Sequence, residues 1–339
     1  MADLPDPPHR AVSCQMAIWQ ESYPLREAFR ISRGSKTVAE VVVVELTAGP
    51  YRGWGECVPY ARYGESVSSV IAALEGCREA VVAGLDRTAL QQRLPPGAAR
   101  NALDCALWSL EARRGNQPVW KLAGLTAPPQ PVTTAYTLSV ASPDAMARAA
   151  AAAADRPLLK LKLTGEGDLE RVRAVRAHAP RARLIVDANE AWSLEHLHRF
   201  TPEMAELGVE LIEQPLPADA DSALAGFVSP VPLGADESVH GLESLARLQG
   251  LYQVVNIKLD KTGGLTEALA LKQAAVAAGF AIMVGCMVGT SLAMAPAHLL
   301  AQNAAFVDLD GPLLLAADRQ PGLVFTGSRI APPEPALWG

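Results

Sequence analysis

The chain has 339 residues, half of them hydrophobic, so it can bury more than one minimal core. Its formal net charge is −6 and its Lys and Arg residues form no runs, which excludes the basic footprint of a nucleic-acid or anionic-membrane binder. The cysteines Cys14, Cys57, Cys77, Cys105 and Cys286 are an odd, scattered set without a CxxC, which excludes a disulfide framework and a zinc site and points to a reducing compartment, the cytoplasm.

The N-terminal stretch MADLPDPPHR has no apolar segment of the signal-peptide kind. Residues 38–47, VAEVVVVELT, predict a β-branched strand, and a Gly/Pro-containing turn at 49–53 leads into GWGEC, a second strand. From 66 to 114 the pattern is helical, with Leu103, Ala106, Leu107 and Leu110 on one face. These elements predict an α+β unit over residues 1–130, bounded by TAPPQP at 126–131. The Ala-rich run at 145–154 ends in Asp155 and Arg156 and predicts a soluble helix. No apolar stretch reaches the roughly 20 residues that a membrane span needs.

After residue 131 the rhythm changes. Strand candidates begin near 132, 158, 183, 211, 232, 254, 281 and 307, at intervals of 21 to 28 residues. Most intervals carry helical patterns, such as TEALALKQAAVAA at 266–278. Strand–helix repeats of this kind predict a closed, parallel β/α barrel over residues 131–314. The last repeat lacks a clear helix, and the strand-like GLVFT at 322–326 is expected to leave the barrel, so that a tail over about 315–339 completes the first unit.

Active sites of such barrels lie at the C-terminal ends of the strands. Those ends here carry Lys160 and Lys162, Asp187 and Asn189, Glu213, Asp236 and Glu237, Lys258, and Asp308 and Asp310. Asp187, Glu213 and Asp236 stand 26 and 23 residues apart, one repeat each. Three carboxylates converging at a barrel mouth repel one another unless a cation lies between them, and a hard cation such as Mg2+ takes oxygen ligands. Capping of the following helix explains any one of these acids, but poorly explains three in consecutive repeats. Lys160 and Lys162 are two apart on a strand and share a face, with Leu159, Leu161 and Leu163 on the other. Inward lysines are costly unless anions neutralise them, and desolvation is expected to lower their pKa toward that of a usable base.

The segments KLK at 160–162, DAN at 187–189, IEQP at 212–215, ADES at 235–238 and NIKLDKTGG at 256–264 resemble the enolase superfamily, and within it the muconate-lactonizing subgroup. The resemblance includes GWGEC and ALDCALWSL at 102–110 and implies a modified (β/α)7β TIM-type barrel with an N-terminal α+β capping domain. It implies Asp187, Glu213 and Asp236 as Mg2+ ligands, Lys162 and Lys258 as acid/base lysines on opposite faces of the substrate, and Lys160 as a cation holding the substrate carboxylate. The combination of a lysine base with Mg2+ at an enediolate is a known pattern of this superfamily.

Asp308 and Asp310 in DLDGP share a face, and a DxD at this place is similar to that of the dipeptide epimerases, where it binds the ammonium of an N-terminal amino acid. PYARYGES at 59–66, AARNALDCALW at 98–108 and GCMVGTS at 285–291 resemble the epimerases of L-Ala-D/L-Glu. The resemblance implies an isomerase that interconverts L-Ala-L-Glu and L-Ala-D-Glu, with a role in recycling peptidoglycan peptides. Arg33 is a candidate partner for the glutamyl carboxylate. Thr137 and the backbone around Cys286, Met287 and Val288 are further candidates for substrate contact. The expected partner is a dipeptide, not nucleic acid or membrane, and homo-oligomerisation is left open. Two alternatives stand beside this reading: another reaction of the subgroup, such as o-succinylbenzoate synthesis or N-succinyl amino acid racemisation, and a non-catalytic binding barrel. The DxD weighs against the first, whose substrates lack a free ammonium, and the intact lysine and carboxylate set weighs against the second.

Overall fold

A computed structural model describes residues 14–339. The N-terminal ten residues, read above as lacking a signal-type segment, lie outside the described residues. Strands β1 (Gln15–Ile31), β2 (Gly34–Ala48) and β3 (Tyr51–Cys57) form an antiparallel sheet. The inward Val42, Val44 and Leu46 of β2 pack on Val70, Leu74, Leu90 and the helix Ala98–Arg114. That helix is buried around most of its girth, because one side meets the sheet while Cys105, Trp108 and Ala112 join the barrel's core. The amphipathic face read from the sequence is only half of its contact surface.

Sequence patterning misses β1, a 17-residue strand. Only Met16 of it is buried, it contains Pro24, and its register with β2 shifts between Pro24 and Phe29. Such irregular, proline-bearing pairing is tolerated at a sheet edge. The tip of the β1–β2 hairpin carries Arg33 across to the barrel.

β3 lies directly on the helix Ala98–Arg114. A Cβ at Gly55 would fall 2.0 Å from the Ala102 carbonyl oxygen and 2.8 Å from the Ala106 nitrogen, both backbone atoms that cannot move aside. Gly55→Ala is therefore expected to destabilise the protein by about 3 kcal/mol, the upper end for overpacking. Chemical denaturation checks this, and an unchanged midpoint would show that the sheet and helix separate freely.

The second sheet holds eight parallel strands: β5 (Tyr136–Leu138), β6 (Leu158–Lys162), β7 (Arg183–Asp187), β8 (Val209–Glu213), β9 (Leu233–Ala235), β10 (Val254–Ile257), β11 (Ala281–Gly285) and β12 (Phe306–Asp308), paired in sequence order. The Ala135 N–H donates to the Val307 carbonyl at 2.7 Å, closing the ring. Regular helices follow β5, β6, β7, β10 and β11. The intervals after β8 and β9 differ from the expected repeat: they carry only the 3-10 turns Ala218–Leu224 and Leu242–Ser244 and the four-residue helix Leu245–Leu248. Among the described residues, no helix is long and apolar enough to cross a membrane.

The tail runs along both units. Leu315 bridges to Leu25, and the Trp338 indole N–H donates to the Cys105 carbonyl at 3.0 Å. Between these contacts, β13 (Phe325–Thr326) and β14 (Arg329–Ile330) form a hairpin that pairs with β4 (Val132–Thr133), ahead of the first barrel strand.

Candidate active site

Inside the barrel, side chains stack in layers along the strands. Ala135, Leu158, Ile185, Leu211, Val254 and Met283 form an apolar cluster. Two residues further along, the inward positions become Lys160, Asp187, Glu213, Asn256 and Gly285. The period of two that sends Leu159 and Leu161 outward to the helices sends Lys160 and Lys162 inward. The apolar layer thus floors a charged one.

Asp187, Glu213 and Asp236, at the ends of the adjacent strands β7, β8 and β9, each present an oxygen within 4.8 Å of the others, and all three are buried. Lys162 Nζ lies 2.5 Å from Asp187, Lys160 Nζ 2.6 Å from Glu213 and 2.7 Å from Asp308, and Lys258 Nζ 2.6 Å from Asp236. The Asn256 amide donates to Glu213 at 2.7 Å. β6, which carries Lys162, and β10, which precedes Lys258, are four strands apart in a closed ring of eight, so the two lysines rise from opposite walls. Gly285 leaves room for this, since a Cβ there would come within 3.0 Å of Lys258 Cε.

These groups perturb one another strongly. Burial raises the Glu213 carboxyl, Asp187 adds to the effect, and together they push it up to about 8 against the pull of Lys160. Asp187 is also buried, but Lys162 and Lys160 outweigh burial and hold it at about 2. The expectation of depressed lysine pKa values is reversed at Lys160 and Lys258. Burial pulls both down, but Asp308 and Glu213 at Lys160, and Asp236 at Lys258, lift them well above the usual range.

The donor set fits a hard divalent cation: three buried carboxylates, no sulfur and no imidazole. Nearby, Asn189 Oδ1 and Glu237 Oε2 are buried without a hydrogen-bond partner among the described residues.

Across the mouth, Asp308 ends β12, and Asp310 accepts the Thr137 N–H at 2.6 Å. Burial and the Asp308 charge push Asp310 up to about 7. Cys286, Met287 and Val288 follow β11, and Gly289 packs so closely on Gly311 that a Cβ there would sit 3.1 Å from the Gly289 backbone. Arg33 reaches the mouth with both terminal NH2 groups engaged, among others by Glu237 at 2.6 Å, Glu190 at 3.1 Å and the Asn189 carbonyl at 2.9 Å. His240 packs edge-on against Tyr63, outside the carboxylate cluster. Sequence reasoning overlooked Lys261, which is fully buried and donates to the Asp236 carboxylate at 2.6 Å and the Asn256 carbonyl at 3.0 Å. It also overlooked Gln214, whose side-chain oxygen accepts the Asp236 and Ser238 N–H groups. The IEQP and DKTGG segments contained both residues, but only the folded barrel aims them at Asp236.

Residues 13–124 match the N-terminal domain family of mandelate racemase and muconate lactonizing enzyme, and residues 145–334 match the enolase C-terminal domain-like family. The chain is 50% identical over 315 residues to the L-Ala-D/L-Glu epimerase of Escherichia coli K12, an alignment covering 92% of this chain and 98% of the relative. It is 46% identical to an N-acetyl-D-glutamate racemase from Pseudoalteromonas, over 88% of this chain and 95% of the relative. A crystal structure of an enolase family member from Agrobacterium tumefaciens, with sodium and L-Ala-L-Glu bound, superposes with a TM-score of 0.95 at 53% identity, covering 96% of this chain and all of that one. Further matching structures are dipeptide epimerases complexed with Mg and a dipeptide. With both units matched, the chain belongs to the mandelate racemase and muconate lactonizing enzyme family of the enolase superfamily.

Proposed function

We propose that this chain is a Mg2+-dependent dipeptide epimerase that interconverts L-Ala-L-Glu and L-Ala-D-Glu by moving one α-proton between two lysines. The observation that carries this reading is the pair Lys162 and Lys258, set on opposite walls around a buried carboxylate triad. The related epimerase and the dipeptide-bound neighbour support the choice of substrate. The free cysteines fit a reducing, cytoplasmic setting.

The substrate α-carbon would lie between the two lysines, so one takes the proton from one face while the other returns a proton to the opposite face. Asp187, Glu213 and Asp236 would hold the cation, whose charge would ease the carboxylates' hold on the lysines and offset the doubled charge of an enediolate. Lys160, already anchored by Asp308 and Glu213, would meet the substrate carboxylate without needing to be reoriented. Asp310, with Asp308, would receive the dipeptide ammonium near the Thr137 backbone and the loop after β11, while Arg33 lies on the side where a glutamyl chain would reach the cap.

The second reading is racemisation of an N-acylated glutamate, favoured by the racemase relative. The two differ at the substrate nitrogen, which is an ammonium in one and an uncharged amide in the other. Incubation in D2O with Mg2+ and a panel of dipeptides and N-acylglutamates separates them. Deuterium is expected at the glutamyl α-carbon of L-Ala-L-Glu and L-Ala-D-Glu. Uptake by N-acetylglutamate alone would establish the second reading, and uptake by no compound would sink both.

Asp310→Asn keeps an oxygen for the Thr137 N–H but loses the charge. It is expected to raise KM for the dipeptide about 10- to 100-fold, since hydrogen bonds to charged groups contribute about 1.5–3 kcal/mol. The melting temperature should change little. An unchanged KM would remove Asp310 from the ammonium site.

A further inference from the structure

The two lysines are anchored differently, and the difference runs through the cap. Lys258 directly follows β10, and its carbonyl accepts the Lys261 and Thr262 N–H groups at 3.0 Å, so the turn Leu259–Thr262 is bound directly to it. The cap grips that turn from the other side. Asp260, buried, accepts the Asn101 amide at 2.8 Å and the Val58 N–H at 3.0 Å. Arg100 donates to the Thr262 carbonyl at 2.7 Å and the Gly263 carbonyl at 3.2 Å. Asp104 accepts the Thr266 N–H at 3.0 Å and the Thr266 hydroxyl at 2.6 Å. Gly263 and Gly264 have φ of 74° and 111°, and a Cβ on either would come within 2.5 Å of Arg100 or Asp104. The chain after Lys258 is thus moulded onto one helix of the cap over its whole length from Asp260 to Thr266.

Lys162 is held from within the barrel. The loop after β6 is pinned by Asp168, which accepts the Thr164 N–H at 3.1 Å, the Gly165 N–H at 2.6 Å and the Trp192 indole N–H at 2.8 Å. Its neighbour from the cap is the Phe29 ring, 5.9 Å from Nζ, which supplies an apolar wall and no hydrogen bond.

We propose that Asn101 and Asp260 are positioning residues for one face of the reaction, acting through the Leu259–Thr262 turn to set Lys258 and leaving Lys162 untouched. The cap is thereby a structural part of one of the two proton-transfer arms. The inference rests on the two-lysine reading above. A proton-transfer group must stand within a hydrogen-bond length of the α-carbon's proton, and a misplacement of about 1 Å can cost on the order of 100-fold. Loosening this turn is therefore expected to slow one face only, whereas damage to folding slows both.

The test uses the full chain with Mg2+ in D2O, in two single-lysine backgrounds. Lys162→Ala leaves Lys258 as the only base, and Lys258→Ala leaves Lys162. Each parent is expected to exchange its own diastereomer of Ala-Glu; if neither exchanges, the two-lysine reading fails at that step, before the positioning claim is reached. Asn101→Leu, which removes the donor at similar volume, is then added to each. Exchange through Lys258 is expected to fall by about 10- to 100-fold, and exchange through Lys162 to stay within about threefold of its parent, on the reasoning that no contact joins Asn101 to the β6 loop. Asp260→Ala should act in the same way, and Asp260→Asn, which keeps an oxygen toward Val58 and Asn101, should recover most of the rate. If Asn101→Leu does not accumulate as folded protein, Asn101→Ala carries the same comparison. Equal slowing through both lysines would overturn the proposal, as would no slowing through Lys258.

Discussion

Replacing either Lys162 or Lys258 with alanine is expected to stop net epimerisation in both directions while leaving α-proton exchange on one isomer. The two ammonium groups rise from walls four strands apart in a ring of eight, so neither reaches the proton on the other's face. With Lys162→Ala, deuterium is expected to enter L-Ala-L-Glu without inversion; with Lys258→Ala, it is expected to enter L-Ala-D-Glu. The loss of epimerisation should be about 10²–10⁴-fold, the usual contribution of a positioned acid–base group. Neither change strands a buried carboxylate. Asp187 keeps Lys160 at 3.3 Å when Lys162 is gone, and Asp236 keeps Lys261 at 2.6 Å when Lys258 is gone. The surviving lysine feels an altered field, so its exchange slows without changing which isomer exchanges. Epimerisation near the wild-type rate in either variant, or exchange of the same isomer in both, would defeat the assignment of two bases.

The barrel was legible in the sequence because parallel strands, covered on both faces, read as short apolar runs, and those runs here end abruptly in charge. The abruptness of LLKLK, RLIVD and VELIE marks the step from the apolar floor to the charged layer. The strands of the barrel and the convergence of Asp187, Glu213, Asp236, Lys160, Lys162 and Lys258 could therefore be read from register alone. β1 could not, because an edge strand needs no continuous apolar face and this one contains a proline. The grip of Asn101 on Asp260 joins residues 159 positions apart through one hydrogen bond, and neither residue stands at a strand end where chemistry would be sought. Lys261 looks like an ordinary helical lysine until the turn after β10 directs it at Asp236. The upward shifts at Lys160 and Lys258 escape the sequence for a related reason: it shows that a lysine is buried, but only the geometry shows that three or four carboxylates surround it.

Removal of the divalent cation with EDTA is expected to abolish exchange and epimerisation together, and Mg2+ is expected to restore both. Lys160, Lys162, Lys258 and Lys261 stand 2.5–2.6 Å from the carboxylates of the triad. Three of those ammonium groups are the ones the proposed reaction needs free, or free enough to face substrate. A cation at the triad would compete for the carboxylate that lies 2.6 Å from Lys258 and so loosen its hold on that lysine. The prediction has a readout apart from turnover. A cation that binds only the folded triad stabilises it by mass action, about 2.7 kcal/mol at a concentration 100 times Kd. Thermal denaturation should therefore shift upward with Mg2+ in the wild type. In Glu213→Gln the shift should shrink sharply, because the middle carboxylate of the triad is lost while the Asn256 amide can still donate to the remaining oxygen. Activity that survives exhaustive chelation would dismantle this account of the triad. So would a melting temperature that ignores Mg2+ in the wild type, since three buried carboxylates that bind no cation would then have to be explained by the four lysines alone.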